Sequence, residues 1–180
     1  MSQNRDTPIR HRFLEWEQSL TLKANRALSV RGIGRFFGYI SRLGNGGAWF
    51  AVIGGLLLYD PLVSWRAAIH MLAVVLIGAG LYHWLKKKTS RPRPFEIHQT
   101  LTISIPPLDR YSFPSGHTLH AVSLTIVAAA YYPQTLWVLA PFALLVASSR
   151  LVLGLHYLSD VVAGALIGTL LAVISIAIVP

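Results

Sequence analysis

Long uncharged stretches alternate with short basic stretches along this chain of 180 residues. The uncharged stretches are residues 43–59, 67–85, 118–149 and 161–180, which are 17, 19, 32 and 20 residues long. Because about 20 helical residues cross the hydrocarbon core of a bilayer, three of these stretches each predict one membrane span. The stretch of 32 residues is too long for one span, and Pro133-Gln134 divides it into two helices joined by a tight turn. The pattern therefore predicts an all-α, polytopic membrane helical bundle of about five transmembrane helices.

The N-terminal part of the chain has a different pattern, in which charged and apolar residues mix. Between residues 11 and 30, apolar side chains such as Phe13 and Trp16 lie next to charged ones such as Glu17. Such a segment cannot span a bilayer, so we expect an amphipathic helix at the membrane interface, within a segment that covers residues 1–42. The first 30 residues contain no apolar stretch typical of a signal peptide, so no cleavable signal is expected.

Composition supports the membrane assignment. Hydrophobic residues make up 53% of the chain, charged residues make up 13%, and the mean hydropathy is +0.51. The length predicts a single domain, residues 1–180. The formal net charge is +9, but the basic residues flank apolar segments, so we expect anionic lipids or phosphate substrates as partners and no nucleic acid. The absence of cysteine from the sequence excludes disulfides and thiolate metal sites.

Three groups of polar residues lie between the apolar stretches. They are Lys86 with Arg93-Pro94, then Pro114-Ser115-Gly116-His117, then Ser149-Arg150 with His156 and Asp160. In the five-span arrangement, residues 86–116 form a loop on one membrane face, and the next two helices cross the membrane and return. All three motifs are therefore expected on the same face, where they can form one active site.

The first chemical role that these motifs predict is phosphate binding. Lys86, Arg93 and Arg150 supply three cations for phosphate oxygens, and arginine suits bidentate contact with them. Pro114 predicts the start of a helix, whose N–H groups at Ser115 and the residues after it would point at a bound anion. Gly116 would allow that anion to approach the backbone closely. These five residues, Lys86, Arg93, Ser115, Gly116 and Arg150, are the predicted phosphate-binding set.

The second predicted role is nucleophilic and acid–base catalysis. His156 and Asp160 are four residues apart, which is one turn if the segment is helical. The carboxylate can then accept from one ring nitrogen and leave the other nitrogen free as a nucleophile. His117 is expected to protonate the departing alkoxide.

The order and spacing of the three motifs resemble the signature of the type 2 phosphatidic acid phosphatase superfamily (PAP2), whose membrane members hydrolyse lipid phosphates and pyrophosphates. The resemblance covers residues 86–160, and every signature position is filled. It implies that His156 attacks phosphorus to form a phosphohistidine, which water then hydrolyses. It also implies a metal-independent reaction without a cofactor, on a headgroup of the undecaprenyl diphosphate, phosphatidate or phosphatidylglycerol phosphate type.

Other interpretations of the same residues are weaker. Lys86, Lys87 and Lys88 together are typical of a helix end at the membrane surface, and we assign only that role to Lys87, Lys88 and Arg91. Arg150 would be purely structural if it paired with Asp160. A metal site at the histidines is disfavoured, because no additional carboxylate cluster accompanies them.

Alternative functions remain at this point. A lipid phosphotransferase would pass the phosphoryl group from His156 to another lipid instead of water. A vanadate-dependent haloperoxidase shares this type of anion pocket, but such proteins are larger and soluble. A non-catalytic lipid-binding protein would be expected to have lost a motif residue, and none is missing.

The side of the membrane is the point on which the signals conflict. With five spans, 15 of the 16 lysines and arginines fall on the side of the predicted site. Such an excess favours the cytoplasm, whereas bacterial members of the resembled family mostly work from the outer face of the inner membrane. A sixth crossing before residue 43 would reconcile the two, but Arg31, Arg35 and Arg42 make it hard to place. We expect an integral protein of the bacterial inner (cytoplasmic) membrane with an outward-facing site.

Overall fold

The computed structural model of the protein describes residues 8–103 and 105–179, and this part of the chain is helical, without a β-strand. The N-terminal helices are α1 (Pro8–Asn25), α2 (Ile33–Arg42) and α3 (Ala48–Tyr59), followed by the long α4 (Pro61–Thr89) and the short α5 (Pro94–Ile97). The C-terminal helices are α6 (Gly116–Tyr131), α7 (Leu136–Val152) and α8 (Leu158–Ile178). The all-α prediction is confirmed.

Helix α6 lies at the centre of the bundle and packs against α4, α7 and α8. Its buried residues include Leu119, Ala121 and Leu124, which are at most 1% exposed. Glycines of α8 allow a close approach: a Cβ added to Gly164 would lie 2.5 Å from the carbonyl oxygen of Ser115, and one added to Gly168 would lie 2.5 Å from that of Leu119. Membrane helices pack closely at such small residues.

Among residues 8–103 and 105–179, three helical segments are long and apolar enough to cross a membrane: Pro61–Ile97, Pro133–Val152 and Leu158–Ile178. Large apolar side chains on these segments point outward, and Leu62 and Trp137 are each 86% exposed. An apolar outer surface of this kind is suited to lipid rather than to water. These features support an integral membrane protein.

The two remaining predicted spans are shorter as helices. Helix α6 has 16 residues, and the predicted span 43–59 is divided into a π-helical segment, Leu43–Gly47, and the 12-residue α3. Gly46 has a φ of 134° inside the kink, a backbone conformation that glycine adopts readily. The predicted turn at Pro133-Gln134 is confirmed, because a 3₁₀ turn at Pro133–Thr135 joins α6 to α7.

Helix α1 buries two of its polar residues against the protein and exposes two of its aromatic residues. Glu17 and Thr21 are each 1% exposed, whereas Phe13 is 49% and Trp16 is 53% exposed. At the end of the helix, the side chain of Asn25 donates to the carbonyl oxygen of Val152, at 2.9 Å, and to that of Thr102, at 3.1 Å. These contacts join the N-terminal segment to the end of α7.

Candidate active site

Lys86 and Arg93 of the first motif lie side by side and share one carboxylate. Lys86 is in the last turns of α4, and Arg93 immediately precedes α5. Lys86 Nζ and Arg93 Nη2 each lie 2.7 Å from Asp109 Oδ1. The two basic side chains are 4% and 1% exposed, and they also donate to carbonyl oxygens, Lys86 to that of Tyr111 and Arg93 to that of Leu155.

The second motif forms the start of α6, as the sequence predicts. Ser115 is the N-cap residue, and its hydroxyl contacts Thr118 Oγ1 at 2.9 Å. Its backbone N–H donates to the carbonyl oxygen of Asp160 at 3.0 Å, which joins the second motif to the third. The side chain of Ser115 therefore caps the helix, whereas Gly116 and His117 line the cavity described below.

The third motif spans the connection between α7 and α8. Arg150, in the last turn of α7, is 2% exposed and donates from Nη1 to Ser41 Oγ of α2. Its Nε has no hydrogen-bond partner among the described residues. The structural pairing of Arg150 with Asp160 weighed above is wrong, because the guanidinium that binds Asp160 belongs to Arg91.

His156 lies between a guanidinium and a carboxylate. Its Nε2 is 3.4 Å from Arg93 Nη1, and its Nδ1 is 3.6 Å from Asp160 Oδ2. Because arginine can only donate, Nε2 is the acceptor and the ring proton belongs on Nδ1, facing Asp160. The contact with Asp160 is at ion-pair distance and is longer than a hydrogen bond. His156 precedes α8, and Asp160 lies in its first turn, so the two are not on one helix.

Arg91, to which we assigned only a surface role, is part of this site. Its Nη1 donates to Asp160 Oδ1 at 2.7 Å, and its Nη2 donates to Glu17 Oε2 at 2.6 Å. The surface interpretation of Arg91 is therefore wrong. In the sequence, only the position of Arg91 two residues before Arg93 indicated a role in the site. That position does not predict the contact of Arg91 with helix α1.

A cavity of about 330 Å³ connects the motif residues to an apolar region. Its polar end is lined by Lys86, Arg93, Asp109, His117, Arg150 and His156. Its apolar end is lined by Trp49, Phe50, Ile53, Leu72, Val75 and Leu124, from α3, α4 and α6. The structure therefore brings five of the predicted residues, together with Gly116, to one cavity. Ser115 and Asp160 do not line the cavity: Ser115 immediately precedes Gly116, and Asp160 lies beside His156.

Two cavity residues, Asp109 and Asn45, are absent from the sequence prediction. Asp109 is the only acidic residue between Glu96 and Asp160, which was a usable but weak signal. Asn45 lies in the kinked Leu43–Gly47 segment, and its Oδ1 contacts His117 Nε2. His120 also lines the cavity, and its buried Nδ1 has no partner among the described residues.

The surroundings of the site favour a neutral imidazole at His156. Burial, followed by the charges of Arg150, Arg93 and Lys86, lowers the pKa of His156 well below its usual range. A neutral imidazole keeps the lone pair that a nucleophile needs. Burial alone would raise the pKa of Asp109, but its hydrogen bonds and its attraction to Lys86 and Arg93 outweigh burial and lower that pKa. Burial raises the pKa of Tyr157, beside the site, to about 12.

The described residues contain no group of three or more His, Asp or Glu side chains arranged to hold a metal ion. The positive charge around the cavity comes instead from Lys86, Arg93 and Arg150. Three fixed cations and a neutral histidine can bind an oxyanion and attack its central atom. Phosphoryl transfer requires this combination of charge stabilisation and positioning.

Comparison with known proteins agrees with this geometry. The chain is 29% identical over 142 residues to undecaprenyl-diphosphatase of Sulfolobus acidocaldarius, an alignment that covers 78% of this chain and 68% of that protein. It is also 29% identical over 143 residues to phosphatidylglycerophosphatase B of Escherichia coli (strain K12), with 57% of this chain and 56% of that protein covered.

Among solved structures, the crystal structure of Aquifex aeolicus LpxE superposes with a TM-score of 0.76 at 25% sequence identity. The superposition covers 88% of this chain and 93% of LpxE. A family model described as the PAP2 superfamily matches residues 67–180, a range that contains all three motifs. The chain belongs to the PAP2 superfamily.

Proposed function

We propose that this protein is a metal-independent membrane lipid phosphatase, in which His156 is the nucleophile and His117 is the general acid. The observation that carries the proposal is the cavity itself. Its polar end combines two histidines with three cations, and its other end is apolar and lies between membrane helices. A lipid phosphate has the same two-part chemistry, with a charged headgroup on an apolar tail.

The proposed reaction has two steps. In the first, Nε2 of His156 attacks phosphorus, a bond forms between nitrogen and phosphorus, and the bond from phosphorus to the lipid oxygen breaks. His117 gives its proton to that leaving oxygen. In the second step, His117 takes a proton from water while the water oxygen attacks phosphorus. The N–P bond then breaks, which releases inorganic phosphate and restores His156.

The cations and the helix start have the binding role in this scheme. Lys86, Arg93 and Arg150 would compensate the negative charge on the phosphate oxygens. N–H groups at Gly116 and His117, in the first turn of α6, lack intrahelical partners and add further donors. The carboxylate of Asp109 already binds Lys86 and Arg93. A substrate phosphate must therefore displace this carboxylate in order to bind the two cations.

The substrate class follows from the apolar end of the cavity. Aromatic and branched aliphatic side chains line it, which suits the apolar tail of a lipid. The relatives named above act, by their names, on undecaprenyl diphosphate and on phosphatidylglycerophosphate. We accordingly propose a phosphate or diphosphate monoester of the undecaprenyl diphosphate, phosphatidate or phosphatidylglycerol phosphate type.

The membrane arrangement belongs to the same proposal. Helices α4, α7 and α8 span the bilayer, and α6 and the kinked segment with α3 complete five crossings of one domain, residues 1–180. Helix α1 lies at the interface with its aromatic residues toward lipid, and residues 86–116 form the active-site loop. The protein belongs in the bacterial inner membrane with the site on the outer face.

The test is phosphate release by detergent-purified protein from undecaprenyl diphosphate, phosphatidate and phosphatidylglycerol phosphate. Release from one of these lipids, with His156→Ala reducing it to below a few per cent and His11→Ala leaving it intact, would support the proposal. His11 is a matched control because it is exposed on α1. Retained turnover in His156→Ala would exclude the assigned nucleophile. Lipid dephosphorylation without equimolar inorganic phosphate would identify a phosphotransferase instead.

A further inference from the structure

The guanidinium of Arg91 lies between two buried carboxylates that come from opposite ends of the described chain. Asp160 Oδ1 accepts from its Nη1 at 2.7 Å, and Glu17 Oε2 accepts from its Nη2 at 2.6 Å. Glu17 is 1% exposed and Asp160 is 0% exposed. A single guanidinium thus balances two carboxylates that have no access to water.

Other contacts lock this arrangement in place. The second oxygen of Glu17, Oε1, accepts from the backbone N–H of Ser159 at 2.7 Å. Arg91 Nη1 also donates to Ser159 Oγ at 2.6 Å, and the guanidinium carbon lies 4.2 Å from the centre of the Tyr157 ring. Helix α1, the segment after α4 and the start of α8 are therefore joined at one point.

Asp160 is connected to the reaction centre on its other side. Its Oδ2 accepts from the backbone N–H of Tyr157 at 2.9 Å and lies 3.6 Å from His156 Nδ1. The two carboxylate oxygens of Asp160 therefore have different partners, since Oδ1 is bound by Arg91 and Oδ2 faces the ring proton of His156. The orientation of the carboxylate is set by Arg91, and Arg91 is in turn oriented by Glu17.

We propose that Glu17 and Arg91 are positioning residues of the active site, which set the orientation and the effective charge of Asp160 and, through it, the protonation of His156. The inference rests on the proposed role of His156. It makes helix α1 a functional part of the site, in addition to any contact that α1 makes with the membrane. Neither residue touches the cavity, and neither belongs to the three motifs.

The physical reason is that Arg91 divides its charge between the two carboxylates. If Arg91 is replaced by glutamine, Asp160 loses its compensating cation and attracts the imidazolium form of His156 more strongly. If Glu17 is replaced by glutamine, the whole charge of Arg91 acts on Asp160, which then attracts the imidazolium less. The two substitutions should therefore move the pKa of His156 in opposite directions.

The remaining charges around His156 are the same in both variants. They are Lys86 from α4, Arg93 before α5, Asp109 from the loop, His117 from α6 and Arg150 from α7. Because these groups are unchanged, a difference between the two variants reports on Glu17 and Arg91. A merely structural ion pair would lower the amount of folded protein without an opposite displacement of the two pH profiles.

The experiment is the pH dependence of kcat/KM for phosphate release, measured on the full chain in detergent with the lipid that the wild type hydrolyses. The acidic limb should move to higher pH by roughly 0.5–1 unit in Arg91→Gln and to lower pH by a smaller amount in Glu17→Gln. Misplacement of Asp160 should also lower kcat by roughly tenfold to a hundredfold in Arg91→Gln. KM should change little, because neither residue contacts the cavity.

Matched controls separate this effect from general surface charge. Lys88→Gln removes an exposed cation near the end of α4, and Glu15→Gln removes an exposed carboxylate from α1. Both should keep the wild-type profile. Arg91→Lys retains the charge but not the two-sided contact, so it should retain the position of the acidic limb and lose kcat.

Acidic limbs that are not displaced from the wild type in folded Arg91→Gln and Glu17→Gln, or that move in the same direction, would overturn the inference. Should Arg91→Gln fail to fold, the expected result is an acidic limb at lower pH in Glu17→Gln, and an undisplaced limb with a lower kcat in Arg91→Lys; an undisplaced limb in Glu17→Gln would then overturn the inference. A wild-type protein that releases no phosphate would contradict the proposed function itself. Active wild type with undisplaced variants would reject only the role of Glu17 and Arg91.

Discussion

At the scale of single residues, Asp109 stands out because it binds two of the cations that are predicted to bind phosphate. Its Oδ1 lies 2.7 Å from both Lys86 Nζ and Arg93 Nη2, where a phosphate oxygen would be expected. Its pKa is lowered mainly because its bonds to these cations outweigh the effect of burial, so the carboxylate stays ionised at neutral and mildly acidic pH. In the proposed mechanism, it therefore competes with an incoming phosphate over that whole range.

Replacing Asp109 with asparagine should therefore strengthen the binding of simple anions. The amide keeps the size of the side chain but removes the charge, so Lys86 and Arg93 become available to phosphate. We expect the inhibition constant of inorganic phosphate to fall by roughly tenfold, the equivalent of about one charge-assisted hydrogen bond. Product inhibition of lipid hydrolysis measures it. Weaker inhibition than in the wild type would mean that Asp109 helps to hold the cations in place.

Most of the charged and histidine side chains at the polar end of the cavity are predicted by the sequence motifs. Lys86, Arg93, His117, Arg150 and His156 line one cavity, as the motif order leads one to expect. Residue types carry much of the information here, because cations bind phosphate oxygens and histidine can act both as a nucleophile and as a general acid. Their individual catalytic roles stay predictions until the variants are measured.

At the scale of elements, the close contact between α6 and α8 sets the geometry of the site. Ser115 N donates to the carbonyl oxygen of Asp160, so the second and third motifs meet where these two helices cross. The crossing is close because Gly164 and Gly168 have no side chains at the contact. Helix packing thus determines how far Asp160 and His156 lie from the start of α6.

Gly164→Ala tests this dependence. The added Cβ would lie 2.5 Å from the carbonyl oxygen of Ser115, and a backbone atom cannot move aside cheaply. We expect a loss of about 1–3 kcal/mol of stability together with a drop in kcat, because α8 must shift relative to α6. Thermal unfolding in detergent and phosphate release measure the two effects.

The control for that experiment is Gly80→Ala in α4, where an added Cβ would meet no atom within 4 Å. Alanine favours a helix more than glycine does, so this variant should be as stable as the wild type or slightly more stable. Equal behaviour of the two variants would show that the contact between α6 and α8 tolerates an extra methyl group.

The sequence pattern of helix α1 predicts the helix but not which of its polar side chains are buried. Its mixed polar and apolar residues predict an amphipathic helix, and the described part of α1 is helical from Pro8 to Asn25. The pattern alone suggests that the charged side faces water. In the structure, Glu17 is buried against Arg91, so part of the polar side faces the protein instead.

At the scale of the whole molecule, the source of positive charge at the site is the main question for the mechanism. Buried lysine and arginine side chains surround the polar end of the cavity, in a chain whose formal net charge is +9. In many phosphoryl-transfer enzymes, divalent metal ions neutralise the transferring group. In the proposed mechanism, Lys86, Arg93 and Arg150 take that role.

We therefore expect EDTA to leave phosphate release unchanged and vanadate to inhibit it. Vanadate adopts the five-coordinate geometry of the transferring phosphoryl group and should bind the same three cations and His156. Activity lost on chelation and restored by a divalent ion would require a metal-based mechanism. The matched control is Arg150→Gln, in which vanadate inhibition should weaken by roughly tenfold or more, because one of the cations is missing.

The sequence by itself determined the class of protein and most of the charged and histidine side chains at the polar end of the cavity. The lengths of the uncharged stretches indicate membrane helices, because the thickness of the bilayer sets the length of a spanning helix. The motif residues indicate phosphoryl transfer, because few types of side chain can perform that reaction. Only the tertiary structure decided the partners: Asp109 with the cations, Asn45 with His117, and Arg91 between Glu17 and Asp160. Glu17 and Arg91 are 74 residues apart, and no periodicity along a chain encodes which distant side chains meet when its helices pack.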